Sequence, residues 1–290
     1  MDNLSDKNIT IVGLGLIGGS IAKGISKNIK AKNLWAVDVD QKTLDTAEKE
    51  KIIEKGFTNP KYPLQNSDLV ILCTYPDTTL EFIEKNKKYF KKNSIVTDTT
   101  GIKEVIIDKI KNMVDKNIIF IGGHPMAGKE VSGYQHSSVN IFKNSEYILT
   151  PTNDTDENSL NLLTKLIKNI GFNKVTFMTP EIHDRKIALT SQLPHLIACA
   201  LMNNKGLEKD LSGIGGSFKD MTRVANINSN LWCELISVNK NNLLKEIDIF
   251  IEDINEIYDT IKNSDKKELK KIFEESSLRR KGIDDEKSNC

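Results

Sequence analysis

Two kinds of residue in this chain are spaced so that they could do chemistry. The first is a histidine. His124 sits in Gly122-Gly123-His124-Pro125-Met126-Ala127-Gly128, directly after the apolar run Ile118–Ile121. Imidazole is the side chain best matched to moving a proton near neutral pH, and a histidine just past a buried-type strand stands where an open α/β sheet binds its ligands. A turn histidine held by Pro125 is the plain alternative. The second is a set of glycines. Gly13-Leu14-Gly15-Leu16-Ile17-Gly18 follows the run Ile9–Val12 and opens a helical stretch. In such a loop Gly13 permits the tight turn, Gly15 lets backbone approach a pyrophosphate, and Gly18 lets helix and strand pack closely. The phosphate meets free N–H groups and the positive end of the helix dipole. Asp38 ends the second strand, where an acid accepts hydrogen bonds from ribose hydroxyls and repels a 2′-phosphate. No arginine lies near it, so NAD is expected rather than NADP. Leu16, Ile17 and Thr74 complete the expected cofactor contacts.

The elements that must position these residues follow from periodicity. Runs of β type occur at Ile9–Val12, Leu34–Val37, Leu69–Cys73, Ile95–Thr97, Ile118–Ile121 and Tyr147–Leu149. Helical stretches lie between most of them, at Leu16–Ser26, Lys42–Lys51, Thr79–Phe90 and Lys103–Val114. A helix at Asp156–Ile170 and a run at Lys174–Phe177 extend the pattern. Alternating strand and helix predicts a Rossmann-type, doubly wound parallel sheet covered on both faces. After Pro180 the strand signal stops and an all-α region begins. Ile187–Met202 is apolar nearly all round, so that helix is expected to be buried. Pro194 inside it predicts a kink. The predicted domains are 1–179 for nucleotide binding, 180–275 for a helical substrate and dimerisation domain, and 276–290 for a charged, frayed tail.

Bulk properties exclude other classes. The formal net charge is +1, so no global field draws in nucleic acid or a membrane surface, and a small molecule is the expected partner. The N-terminus lacks a signal-peptide pattern, and no apolar run is long enough to span a bilayer. Cys73, Cys199, Cys233 and Cys290 form no metal-type or redox pair, which predicts reduced thiols in a cytoplasmic protein without a metal site.

The segment His124-Pro125-Met126-Ala127-Gly128 with Glu130 resembles the prephenate dehydrogenase family. So do His183-Asp184, Ser191-Gln192-Leu193-Pro194-His195, the stretch from Gly215 through Asp220 to Arg223-Val224-Ala225, and Trp232 beyond it. The resemblance runs from about Ile9 to about Ile261 and implies a dinucleotide-binding domain, a helical dimerisation domain and an active site between them. It implies NAD-dependent oxidative decarboxylation of prephenate to 4-hydroxyphenylpyruvate, a step toward tyrosine. His124 then contacts the ring hydroxyl as hydrogen-bond acceptor or base, and must be neutral to do so. Arg223 is the substrate-binding arginine, its guanidinium a fork matched to a carboxylate. Asp220, three residues earlier, either pairs with it or orients it. Gly216 matches a substrate-lining position, in a helix for which Ser217 is the expected N-cap. His195 matches the histidine that binds the substrate side chain. His183 contacts substrate or steadies the start of the helical domain, and Glu130 matches a gating or network acid.

Two departures from the family pattern stand out. Many relatives carry a serine after the fifth strand that bonds the catalytic histidine; here Gly101 takes its place, and Thr100 is the candidate to supply a hydroxyl. Gln192 stands where relatives often have histidine. Arogenate dehydrogenase, with the same chemistry on the amino analogue, is the nearest alternative. A β-hydroxyacid dehydrogenase is disfavoured by the histidine-proline segment. A non-catalytic NAD-binding sensor has only the missing serine in its favour. Leu244, Ile247, Ile251, Ile254, Tyr258 and Ile261 recur at spacings of three and four, widened by Ile249, Phe250 and Ile257. Such a stripe needs a partner, and with the resemblance it predicts a homodimer.

Overall fold

In the computed structural model, which describes residues 4–114, 118–207 and 212–288, the first apolar run forms strand β1 (Asn8–Val12) in the interior of an eight-stranded sheet. The others are β2 (Asn33–Val37), β3 (Lys55–Phe57), β4 (Leu69–Leu72), β5 (Ser94–Asp98), β6 (Ile118–Pro125), β7 (Glu146–Thr150) and β8 (Lys174–Phe177). The sheet order is β3-β2-β1-β4-β5-β6-β7-β8. Chain order reverses at the neighbours β1 and β4, and a ligand crevice opens beyond the carboxyl ends of strands at such a point.

Side chains alternate across each strand and feed two separate cores. Ile9 and Ile11 of β1, with Leu69 and Ile71 of β4, join the core built with helices α1 (Leu16–Asn28), α2 (Gln41–Lys49) and α6 (Glu157–Ile170). Val12, Val70 and Leu72 join the opposite core with α3 (Lys61–Asn66), α4 (Pro76–Asn86) and α5 (Glu104–Met113). The helix starts have local causes. The Asp40 carboxylate accepts the Lys42 N–H at 3.1 Å to cap α2. Pro76, whose φ is pre-set for the first turn, opens α4 ahead of the expected Thr79.

The sheet departs from the sequence expectation in two places. Strand β3 was not foreseen, because it has three residues and its middle one is Gly56, kept bare by Leu44: a Cβ there would stand 2.6 Å from the Leu44 Cβ. The sheet is also not wholly parallel. Strand β6 runs through His124 to Pro125, with its first half parallel to β5 and its second half antiparallel to β7, His124 opposite Ile148. The histidine therefore lies within a hydrogen-bonded ladder and not in a turn.

Packing divides the chain into two units, Met1–Lys240 and Asn241–Cys290. Within the first unit, strands give way to helices after Phe177. Helix α7 (Pro180–Ile187) is capped by the Thr179 hydroxyl, which accepts the Ile182 N–H at 3.3 Å. One wide π turn, Ala188–Gln192, joins it to α8 (Leu193–Met202). The irregularity thus falls just before Pro194, in place of a kink at it, and Pro194 sits in the first turn of α8, where its missing N–H costs nothing. The expectation of a fully buried helix over 187–202 is corrected. Ile187, Ala188, Gln192, Leu193 and Ala198 are buried, but Leu189 is 50% exposed and Met202 39%. Helix α9 (Gly216–Thr222) has Gly215, not Ser217, at its N-cap. Asn228 caps α10 (Ser229–Val238) by accepting the Leu231 N–H at 3.2 Å.

The second unit holds α11, which begins at the last residue of the first unit (Lys240–Lys262), and α12 (Lys266–Ser288). Of the expected charged, frayed tail, residues 276–288 continue α12 as helix, and 289–290 lie outside the described residues. Leu244, Ile249, Ile251, Ile254, Tyr258 and Ile261 of α11 are all exposed. No helix among the described residues is long and apolar enough to cross a membrane.

The glycine turn after β1 offers a direct test of this packing. Gly13 has φ +88°, and a Cβ on Gly18 would collide with the Gly13 carbonyl oxygen. Gly18→Ala is expected to lower the unfolding free energy by about 1–3 kcal/mol, measured by urea denaturation. An unchanged midpoint would show that the turn relaxes freely.

Candidate active site

One cleft of about 950 Å³ gathers most of the residues singled out in the sequence. Gly15, Leu16, Ile17 and Thr74 form its nucleotide-side wall, Glu130, His195 and Arg223 lie on other walls, and Thr100 and His124 also line it. All of it belongs to the first unit.

The glycine loop is shaped by two close approaches. A Cβ on Gly13 would stand 2.7 Å from the Cys73 carbonyl oxygen and 3.0 Å from the Thr74 methyl, so only glycine fits between the ends of β1 and β4. Gly15, in contrast, has nothing within 4 Å of its Cβ position, which leaves room for a phosphate beside the start of α1. Asp38 lies outside the cleft lining and is half-buried. Its carboxylate accepts the Leu14 N–H at 2.6 Å and the Asp40 N–H at 2.9 Å, which fixes the acid against the glycine loop. Thr74 bonds the Thr79 hydroxyl at 2.7 Å. Burial pushes the Cys73 thiol up to about 12, so it stays protonated and inert in the cleft wall.

His124 is placed by β6 and half-buried. Its Nδ1 lies 2.9 Å from Nε2 of His183, and the two rings meet edge-on. His183, at the start of α7, is fully buried and does not line the cleft. Its Nδ1 lies 2.7 Å from Asp184 Oδ1. Burial, with His183 and Lys103 nearby, holds His124 well below the ordinary histidine value. Burial also lowers His183, and Asp184 opposes that shift.

The structure corrects the expected role of Thr100. Its hydroxyl is bonded to the Asp98 carboxylate and to the Ile102 carbonyl at 3.0 Å, and it accepts from the Lys103 ammonium at 3.0 Å. The ring partner of His124 is His183. A side chain at Gly101 would begin 3.8 Å from His124 Cε1, beside Leu235, so the residue that could have carried a hydroxyl to the ring is the bare one.

Arg223 pairs with Glu130, 93 positions away, and not with Asp220. Asp220 and Gly216 lie exposed on α9, outside the cleft lining. The ring of His195 packs against Trp232 at 4.0 Å between centroids, and its Nδ1 lies 2.8 Å from the Ser191 carbonyl oxygen. A carbonyl only accepts, so that nitrogen carries the hydrogen and Nε2 is left for a ligand. Gln192 is taken up structurally: its amide donates to the Leu235 carbonyl at 3.3 Å and accepts from Asn239 at 2.8 Å.

Several residues of the site were missed in the sequence. Lys103 is wholly buried and its ammonium pairs with the equally buried Asp98. The other oxygen of Asp98 accepts the Gly123 N–H at 3.1 Å, one residue before His124. The segment Asp98-Thr99-Thr100-Gly101-Ile102-Lys103 is polar and reads as an exposed loop, so nothing local marked Lys103 as buried. Tyr75 and Asn228, bonded at 2.7 Å, tie α4 to the loop before α10; nothing local marked that pair. Among the described residues no cluster of three His, Cys, Asp or Glu side chains is arranged to hold a metal.

A glycine-loop nucleotide fold whose cleft ends on a histidine, with an arginine across it, defines a dinucleotide-dependent dehydrogenase. The comparisons narrow the class. Residues 21–176 match the family model described as the prephenate dehydrogenase nucleotide-binding domain, and residues 179–275 match the prephenate dehydrogenase dimerization domain. The chain belongs to the prephenate dehydrogenase family. It is 29% identical to the prephenate dehydrogenase of Bacillus subtilis, covering 98% of this chain and 77% of that one. Among solved structures, that of Aquifex aeolicus prephenate dehydrogenase in complex with hydroxyphenyl propionate and NAD+ superposes with a TM-score of 0.88 at 31% identity, covering 97% of this chain and 100% of the other. Synechocystis arogenate dehydrogenase gives 0.81 at 28% identity, with 95% and 99% covered.

Proposed function

We propose that the chain is an NAD-dependent prephenate dehydrogenase that converts prephenate to 4-hydroxyphenylpyruvate and CO2 in tyrosine biosynthesis. The observation that carries the reading is the convergence of His124 and Arg223 on one cleft beside the glycine loop. Asp38 and the loop backbone suit the ribose and pyrophosphate of NAD, and the open Cβ space at Gly15 fits the phosphates. NAD, when bound, supplies the hydride acceptor.

The chain's own residues have three tasks. His124 accepts the hydrogen bond of the ring hydroxyl through Nε2 and draws on its proton as the C–O bond gains carbonyl character. The proton returns to that oxygen as loss of CO2 makes the ring aromatic, so the reaction is neutral in protons overall. Arg223 forks one substrate carboxylate, exchanging Glu130 for it. His195 offers Nε2 to the substrate side chain, with the Trp232 ring packed against it. Gly216 and Asp220 are assigned supporting roles near Arg223, and Thr100 a supporting role through Asp98. The division at 1–179 and 180–275 is supported by where the two family models meet. The unpaired thiols of Cys73, Cys199 and Cys233 support a cytoplasmic setting.

Arogenate is the second reading, supported by the likeness to the Synechocystis enzyme. NADH formation at 340 nm with prephenate and with arogenate, each with NAD, decides between them. No NADH from either substrate would end both readings.

Three outcomes are expected. Because the base must be neutral and its environment disfavours the proton, kcat/KM should hold as pH falls past 6.5, the ordinary histidine value, and drop only below it. An acid limb centred at or above the ordinary value, or a His124→Ala variant with near-full turnover, would remove His124 from the role. Arg223→Lys keeps the charge and loses the fork, so KM for prephenate should rise about tenfold or more, as for losing one charge-assisted bond, with KM for NAD unchanged. An unchanged KM for prephenate would move carboxylate binding elsewhere. The exposed stripe of α11 and the match to a dimerization domain support a homodimer; a monomer mass by light scattering at micromolar concentration would contradict it.

A further inference from the structure

Behind His124 runs a line of polar groups buried from solvent. Asp184 is buried, and its carboxylate has three contacts. Oδ1 takes the Lys103 N–H at 2.8 Å and faces His183 Nδ1 at 2.7 Å; Oδ2 takes the Glu104 N–H at 2.9 Å. The two N–H groups belong to the cap and first residue of α5, which have no helical acceptor of their own. The carboxylate is therefore pinned by backbone on one side and has a single side-chain partner on the other.

The proton positions follow in order. A carboxylate only accepts, so His183 Nδ1 carries its hydrogen. Neutral His183 then presents a bare Nε2. At 2.9 Å from that lone pair, His124 must hold its own hydrogen on Nδ1. The nitrogen left to His124 for a ligand, Nε2, is then the bare one. We infer that Asp184 is a positioning residue that acts through His183 to hold His124 in the tautomer able to accept the substrate's hydroxyl proton, with Lys103 as the strut that holds Asp184 in place. The opposite tautomer would point an N–H at the hydroxyl and could not take its proton.

Lys103 is a strut at both ends. Its backbone N–H fixes Asp184, and its ammonium fixes Asp98, which in turn grips the Gly123 N–H. One residue thus sets the histidine strand and the carboxylate that orients the imidazole pair. With glycine at 101, the Nδ1 of His124 still has a polar partner on the ring, His183. Burial disfavours a proton on His183, which keeps the line in the neutral register.

The inference rests on the dehydrogenase reading, but its test does not need turnover. With the chain labelled with ¹⁵N-histidine, a long-range ¹H–¹⁵N spectrum at pH 7.5 should show His124 with a protonated Nδ1 and an unprotonated Nε2. The four histidines are assigned by single His→Gln substitutions. The Nε2–H tautomer or an imidazolium in the unmodified protein would overturn the inference. Asp184→Asn should shift His124 toward the other tautomer and lower kcat by about a hundredfold or more, given that the comparable change in a serine-protease triad costs about 10⁴-fold. KM for NAD should stay within about twofold of wild type, since Asp184 does not face the glycine loop. A folded Asp184→Asn variant with wild-type tautomer and kcat would also overturn it. Wild-type protein that shows the expected tautomer yet oxidises neither prephenate nor arogenate would sink the functional reading and leave this one intact.

Discussion

A lysine ammonium enclosed with a carboxylate is costly to build and costlier to break. Removing one partner of such a pair typically destabilises a protein by about 3–5 kcal/mol. In this chain the pair is Lys103 and Asp98, both at 0% exposure, and four elements meet on it. Asp98 ends β5, Gly123 of β6 donates to it, Lys103 caps α5, and α7 brings Asp184 to the Lys103 N–H. The polar groups are satisfied by one another, as buried polar networks must be if they are to specify one arrangement. The price of the ion pair is a defined geometry at the end of the sheet, and the histidine pair sits on that geometry.

The cleft uses two different electrostatic arrangements. At the hydroxyl end, dry surroundings and a nearby ammonium favour neutral imidazole. At the carboxylate end, Arg223 is exposed and already neutralised by Glu130. Exposed pairs are worth little, so under the proposed function an incoming carboxylate with fork geometry would displace Glu130 at small cost. The His195 ring adds directionality, because its Nδ1 is committed to a carbonyl and only Nε2 is open.

Much of this was legible in the sequence, and the limits were physical. Periodicity marked seven of the strands, because each carries β-branched or aromatic residues in a short run; β3 is too short and carries Gly56. The glycine loop was legible because its chemistry is local. His124 was legible as a site, but the antiparallel pairing that embeds it depends on Glu146–Thr150, contact information that periodicity does not encode. The Arg223–Glu130 pair spans 93 positions, so the local candidate, Asp220, looked better on spacing alone. Thr100 was the natural hydroxyl to expect beside Gly101. Sequence spacing did not reveal that Asp98 and Lys103 would claim it, or that His183 would arrive from another domain segment. The burial of 187–202 was overestimated because an apolar composition does not say which faces of a helix meet the rest of the fold, and Leu189 and Met202 stay exposed.

The placement of His124 in a strand, with Arg223 at the end of a seven-residue helix, divides the labour of change. A residue paired into a ladder with β7 can hardly be retuned without disturbing the sheet. A residue on a short exposed segment can be shifted by its neighbours at little cost to stability. Substitutions near Arg223 can therefore reshape that wall of the cleft while the pairing that holds His124 is left unaltered.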